Sequence, residues 1–176
     1  MDKIKLVAIL RGIQPAEAAD HIETLINAGF RYIEIPLNSP DWQQSIPAMV
    51  RQFGERAMIG AGTVLKVEQV DVDKGMLVCA GCATASEAFS ALDAGAQWLK
   101  IFPSSAFGAD YIRALKAVLP PEVPVLAVGG VTPESLATWI QAGCAGAGLG
   151  SDLYRAGQAV ERTREQAERF ISASKS

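Results

Sequence analysis

Three stretches of this chain follow one plan. NAGFRYIEIP (27–36), DAGAQWLKIFP (93–103) and QAGCAGAGLGS (141–151) each set a polar residue before Ala-Gly and then run into six or seven mostly apolar residues. DKGMLVCAG (73–81) is a weaker copy. An amphipathic segment precedes each of the three: PAEAADHIETLINA, SEAFSALDA and PESLATWIQA. The physical reading is a helix that ends on a left-handed glycine and passes at once into a strand. The first two helices carry acidic residues in their first turn and two have Pro near the start, as the helix dipole and the missing proline N–H favour.

Helix and strand therefore alternate. The strands are rich in Val, Ile, Leu, Ala and Gly, which describes a parallel sheet covered by helices. Strands are expected near 5–10, 31–37, 57–63, 76–80, 97–102, 123–128 and 145–149, within a single domain spanning 1–176. The regular repeat and the Gly-rich strand ends favour an α/β fold of the (β/α)8 TIM barrel type. A flavodoxin-like doubly wound sheet is the second choice. No G-x-G-x-x-G opens a helix, so nothing points to a dinucleotide.

Seven strands are one short of such a barrel. Only KVEQVDVDKG lies between AGTVL (61–65) and MLVCA (76–80), and a crossover with its helix takes about 10–12 residues or more. Either the fourth βα unit is missing, or the chain is interrupted near Asp71-Val72. Consecutive Cα atoms across residues 70–73 separated by much more than about 3.8 Å would mark an interruption.

Composition narrows the function. With 49% apolar and 20% charged residues, the 176-residue chain can build a sizeable core, and its net charge of −3 gives no general pull toward nucleic acid or anionic membrane. No apolar run approaches a bilayer span. MDKIKLVAILRG reads as a first strand rather than a signal peptide, because the apolar run is only LVAIL before Arg11 and no small-residue cleavage site follows. A cytoplasmic location is expected.

Cys79, Cys82 and Cys144 are an odd number and suggest no disulfide framework. CAGC (79–82) has the spacing of a redox pair or half a zinc site, but no second such pair exists, which favours two small residues at a strand end. His21 is the only histidine and lies in a helical stretch. A histidine-based metal site or a Ser-His-Asp triad is not expected.

Aligning the repeats on Ala-Gly places Glu34, Lys100 and Gly148 at equivalent strand positions. Alternation of side chains makes Glu34 and Lys100 face the same way on their strands. Both precede a proline, Pro36 and Pro103, that ends the strand, and barrel active sites lie at that end. A buried ion pair that only fixes packing is the plainer alternative, but such pairs are rarely net stabilising. Lys100 lies in WLKIFPSS, a strand expected to be buried on both faces. Desolvation there would lower its pKa and leave a neutral amine able to form a Schiff base. Glu34, the only acidic residue in a strand core, would move the protons. No metal or cofactor is needed.

AVGGVTPES (127–135) and GLGSDLY (148–154) put glycines after strands and before expected helix starts. Backbone N–H groups there suit a phosphate, with Gly129, Gly130, Gly150 and Ser151 as candidates; tight turns are the alternative. Arg11 follows the first strand and suits a substrate carboxylate. Thr63 ends the third strand and can donate a hydrogen bond.

ILRGI, EIPLNSP, IGAGTVL, GCATASEAF, LKIFPSSAFG, AVGGVTP and GAGLGSDLYRAG, which together span nearly the whole chain, closely resemble the KDPG/KDPGal/KHG class I aldolase family. These enzymes cleave keto-deoxy sugar-acid phosphates. The resemblance implies a (β/α)8 barrel, a homotrimer, and cleavage of 2-dehydro-3-deoxy-6-phosphogalactonate to pyruvate and D-glyceraldehyde 3-phosphate in galactonate catabolism. It assigns the Schiff base to Lys100, proton transfer to Glu34, the pyruvyl end to Arg11 and Thr63, a pocket wall to Phe102, and the phosphate to Gly129, Gly130, Gly150 and Ser151. Val128 stands where enzymes for the gluconate epimer have Thr, which fits the galactonate epimer. Relatives carry a further strand and helix between Gln69 and Lys74 that are absent here. The alternatives are the 2-dehydro-3-deoxy-6-phosphogluconate and 4-hydroxy-2-oxoglutarate aldolases of the same family, a non-catalytic phosphate-ligand binder, and a redox protein using Cys79 and Cys82.

Overall fold

The structure, a computed structural model, describes residues 4–65 and 76–175. Residues 70–73, on which the test of chain continuity falls, lie outside the described residues. The contacts divide the chain into two compact units, one of Leu6–Gln69 with Leu149–Ser176 and one of Met1–Lys5 with Val70–Gly148.

The first unit holds β1 (Lys5–Ile9), α1 (Pro15–Ala28), β2 (Tyr32–Pro36), α2 (Trp42–Phe53) and β3 (Met58–Gly62). The second holds β4 (Cys79–Cys82), α3 (Ala85–Asp93), β5 (Trp98–Ile101), α4 (Ser104–Lys116), β6 (Val125–Val128), α5 (Leu136–Gln141) and β7 (Gly146–Leu149); α6 (Val160–Ala173) returns to the first. All seven expected strands are present, with β4 three residues later than its expected start.

In the first unit β2 pairs in parallel with β1 (Ile9 opposite Glu34) and with β3 (Pro36 opposite Gly62). In the second, β4 to β7 pair in parallel in chain order, with Gly81 opposite Lys100 and Val128 opposite Gly148. Within each unit, sequence neighbours are sheet neighbours. The strand-order switch of a flavodoxin-like sheet is absent from both. Among the described residues no helix lies between β3 and β4, β3 pairs only with β2, and β4 only with β5.

The repeat has a common local cause. Gly29, Gly95 and Gly143 have φ of 122°, 92° and 103°. In each copy the next residue closes the helix end with a bond five residues back: Phe30 N to Leu25 O, Ala96 N to Ala91 O and Cys144 N to Trp139 O, at 3.0–3.1 Å. That is the Schellman closure, which satisfies carbonyls the helix leaves open and which a side chain at the glycine would strain.

α1 buries Ala18, His21, Ile22, Leu25 and Ile26, a stripe at helical spacing that packs with α6 and α2. With Phe30, Ile33, Ile35, Phe53, Tyr154 and Phe170 these residues form the core of the first unit. Each large apolar side chain so buried contributes about 1.5–3 kcal/mol. In the second unit Leu99, Ile101, Ile112, Leu115 and the whole of β6 are buried.

Candidate active site

β2 and β5 carry the same burial phase. Ile33 and Ile35 are buried on one face of β2, and Leu99 and Ile101 on one face of β5, while Glu34 and Lys100 are half-buried on the opposite faces. Strand alternation produces this from YIEIP and WLKIF directly. The expectation that the Lys100 strand is buried on both faces is corrected: Trp98 and Lys100 lie on a half-open face. Among the described strands Glu34 is the one acidic residue.

In the first unit the side chains of Arg11, Asn38 and Thr63 meet. The Arg11 guanidinium donates from Nη1 to Asn38 Oδ1 at 3.0 Å and from Nη2 to Thr63 Oγ1 at 3.3 Å. Thr63 is held at φ 53°, a left-handed conformation that is a genuine outlier for a β-branched residue and marks stored strain of order 1–3 kcal/mol. Beside it, the Glu34 carboxylate lies directly over Gly62, where an added Cβ would meet its atoms at 2.5–2.6 Å. The turn after β1 is pinned by Gly12 N donating to Ser39 Oγ at 2.9 Å. Arg11 is thus a fixed, exposed cation with its fork oriented, as carboxylate recognition requires.

In the second unit Lys100 leans over Gly81, where a Cβ would come within 3.3 Å of its Cε. Phe102 is 58% exposed. Its ring lies 3.3 Å from where a Gly129 Cβ would stand, and a Gly130 Cβ would press on Ser105 at 2.7 Å. Both glycines also have positive φ, 96° and 71°. The turn at 129–130 thus brings bare backbone against the Phe102-Pro103 segment, and only glycine fits it. Buried Ser104 ties the two strand ends together, donating to Ile101 O at 2.7 Å and accepting from Val128 N at 3.1 Å.

The helix starts expected after the glycine pairs are reduced. α5 begins only at Leu136 and has six residues, preceded by a turn in which Thr132 and Ser135 bond each other. After β7, Leu153 N and Tyr154 N both donate to Gly150 O, which makes one turn, and α6 starts only at Val160. Arg155 Nε donates to Ser151 O at 2.9 Å and secures that turn. Gly150 and Ser151 thus sit on a single turn rather than at the mouth of a helix.

Asn38, Gly62, Gly81 and Ser104 were not foreseen as site residues. Asn38 and Ser104 owe their importance to partners 27 and 24 residues away. The two glycines matter through the space they leave beside a charged side chain. GAG and CAGC in strand positions were the available signal, since glycine inside a strand often marks a close approach.

The cysteines are placed as small residues. Cys79 and Cys82 stand three apart on β4, about 10 Å along a strand and on opposite faces, beyond disulfide reach of about 7 Å. Burial pushes the Cys82 and Cys144 thiols up to about 11. His21 is buried between α1 and α6, its Nδ1 2.8 Å from Thr163 Oγ1 and its ring edge-on to Tyr154. Among the described residues no group of three or more His, Cys, Asp or Glu could hold a metal ion. Nor is any described helix long and apolar enough to cross a membrane.

The KDPG and KHG aldolase family model matches residues 1–76 and 71–168. The chain is 62% identical over 194 residues to the 2-dehydro-3-deoxy-6-phosphogalactonate aldolase of Escherichia coli K12, covering 97% of this chain and 95% of that one. It is 39% identical to a probable 2-dehydro-3-deoxy-6-phosphogalactonate aldolase of Rhizobium meliloti 1021, with 96% and 90% covered. A solved structure described as native KDPGal superposes with a TM-score of 0.95 at 60% identity, over 99% of this chain and 96% of the other. The fold is thus of the α/β, TIM-barrel-like class. The first alignment is longer than the 176-residue chain, so the relative carries residues with no counterpart here. The two family-model segments meet over 71–76, at the interval one βα unit too short. The chain therefore belongs to the KDPG and KHG aldolase family, a family of carbon–carbon lyases.

Proposed function

We propose that this chain is a class I aldolase that cleaves 2-dehydro-3-deoxy-6-phosphogalactonate to pyruvate and D-glyceraldehyde 3-phosphate. The observation that carries the reading is the 62% identity to the E. coli enzyme across 97% of the chain. The Lys100 amine adds to the C2 carbonyl carbon, and the carbinolamine loses water to leave a protonated imine. The C3–C4 bond breaks as the C4 hydroxyl gives up its proton, releasing the aldehyde, and the bonding pair moves into an enamine. C3 then takes a proton, and water hydrolyses the imine to pyruvate and free lysine. Glu34 carries the protons in these steps.

Arg11 and Thr63 bind the pyruvyl carboxylate, a role supported by the oriented guanidinium. Phe102 walls the substrate, and phosphate contact through turn N–H groups is the role given to Gly129 and Gly130 in the one unit and to Gly150 and Ser151 in the other. Val128 sets the preference for the galactonate epimer, which relative cleavage rates on the two phosphorylated epimers check. The working form is a cytoplasmic homotrimer, which sedimentation and cell fractionation test.

The decisive experiment is borohydride reduction with pyruvate, followed by peptide mapping. A stable adduct on Lys100, missing from folded Lys100→Ala along with all cleavage, is expected. A folded wild-type protein that gives no adduct would overturn the reading.

A further inference from the structure

Glu34 and Gly62 are in contact across β2 and β3. A Cβ built on Gly62 would stand 2.5 Å from the Glu34 carboxyl carbon and 2.6 Å from each of its oxygens. Real side chains do not approach that closely, so the carboxylate occupies the space an alanine would fill. Backbone conformation does not explain the glycine, because Gly62 is not among the residues with positive φ. Gly60 supplies the contrast. It lies two residues earlier on the same face of β3 and is the register partner of Glu34, yet a Cβ there meets no atom within 4 Å among the described residues. Glu34 leans along its strand toward the C-terminal end of β3, over one glycine and away from the other. Gly62 is itself buried, and its carbonyl accepts from Leu37 N at 2.8 Å, which fixes the surface on which the carboxylate rests.

We propose that Gly62 is a positioning residue for proton transfer: its bare Cα is the seat of the Glu34 carboxylate, and any side chain there displaces the proton carrier. The inference rests on the assignment of Glu34 under the proposed function. A methyl at position 62 must push the carboxylate off its seat by about the difference between 2.5 Å and an ordinary contact of 3.4 Å or more. Misplacing a catalytic group by about 1 Å can lower a rate about 100-fold. Glu34 also moves the protons that form the Lys100 imine, but trapping after equilibration with pyruvate reads how much imine is present and not how fast it formed.

The test compares wild type, Gly62→Ala, Gly60→Ala and the double variant Gly62→Ala with Glu34→Asp. Two readouts are used: exchange of the pyruvate methyl protons with deuterated solvent, and borohydride trapping of pyruvate on Lys100. Gly62→Ala is expected to slow exchange about 100-fold with trapping and KM for pyruvate little changed. Gly60→Ala is expected to match wild type. The shorter Asp is expected to recover part of the loss, since it withdraws the carboxylate from the new methyl. Wild-type exchange in a folded, trappable Gly62→Ala overturns the proposal while leaving the aldolase reading intact. Should wild type itself fail to trap pyruvate, the aldolase reading fails, and the proposal with it. An unfolded Gly62→Ala is checked by Gly62→Ser under a stabilising osmolyte, where unimpaired exchange again overturns the seat.

Discussion

The amide of Val128 donates to the buried Oγ of Ser104 across 3.1 Å, and the same hydroxyl donates to the Ile101 carbonyl at 2.7 Å. One side chain thus locks the end of the strand bearing Lys100 to the end of the strand that leads into Gly129 and Gly130. Ser104→Ala leaves two buried backbone groups without this partner. A buried group so stranded costs about 1–3 kcal/mol, so the urea midpoint is expected to fall by the equivalent amount. An unchanged midpoint would show that the hydroxyl carries no such tie.

Arg11 depends on its fork. Two of its nitrogens are held by Asn38 and Thr63, which sets the plane of the guanidinium. Lysine offers a point charge and no fixed plane. Arg11→Lys is expected to raise KM for the sugar-acid phosphate at least about tenfold, the loss of one charge-assisted hydrogen bond of about 1.5–3 kcal/mol. Asn38→Ala is expected to do so more mildly, with the charge intact. A normal KM in Arg11→Lys would remove the carboxylate-binding role.

What could be read from the sequence divides by the range of the interaction behind it. The Ala-Gly repeat was legible because a Schellman closure is local: Gly29, Gly95 and Gly143 act within six residues of chain. The phase of Glu34 and Lys100 was legible because it is bare alternation. The half-open face of β5 was not, because WLKIF looks equally apolar whether one face or two are covered. The helix expected after Gly130 is present but starts only at Leu136, whereas the one expected after Gly150 is not formed there. Gly150–Tyr154 closes a single turn through the Gly150 carbonyl and goes no further. Asn38, Gly62 and Ser104 are ordinary residues until a distant strand or loop lies beside them. The short interval before β4 is visible by counting alone, and the two segments of the family match overlap within it, over 71–76.

The cysteines are expected to be inert. Burial raises the Cys82 and Cys144 thiols to about 11, so the thiolate is scarce at neutral pH. Native alkylation with iodoacetamide at pH 7.5 should leave both unmodified, and labelling should appear in urea. Cys79→Ser and Cys82→Ser should each keep aldolase activity. Lost activity in either with an intact fold would revive the redox reading that the opposed faces of β4 disfavour.

His21 supplies a pH dependence of stability with a definite sign. Its ring is buried among Thr163, Tyr154 and Gln158, and burial lowers its pKa from 6.5 despite the opposing pull of Glu17, Asp20 and Glu161. The neighbouring Tyr154 hydroxyl, which donates to Glu17, is pushed up and stays protonated throughout. In the unfolded chain His21 takes a proton as pH falls through 6.5, while in the fold it remains neutral to lower pH. The unfolded state then binds more protons, so stability is full above 6.5 and declines as pH falls below it, by at most about 1.4 kcal/mol per pH unit. Urea midpoints measured between pH 7.5 and 5.5 should fall in wild type and fall less in His21→Gln, which removes the titrating group. Equal slopes in the two proteins would mean that His21 does not set this dependence.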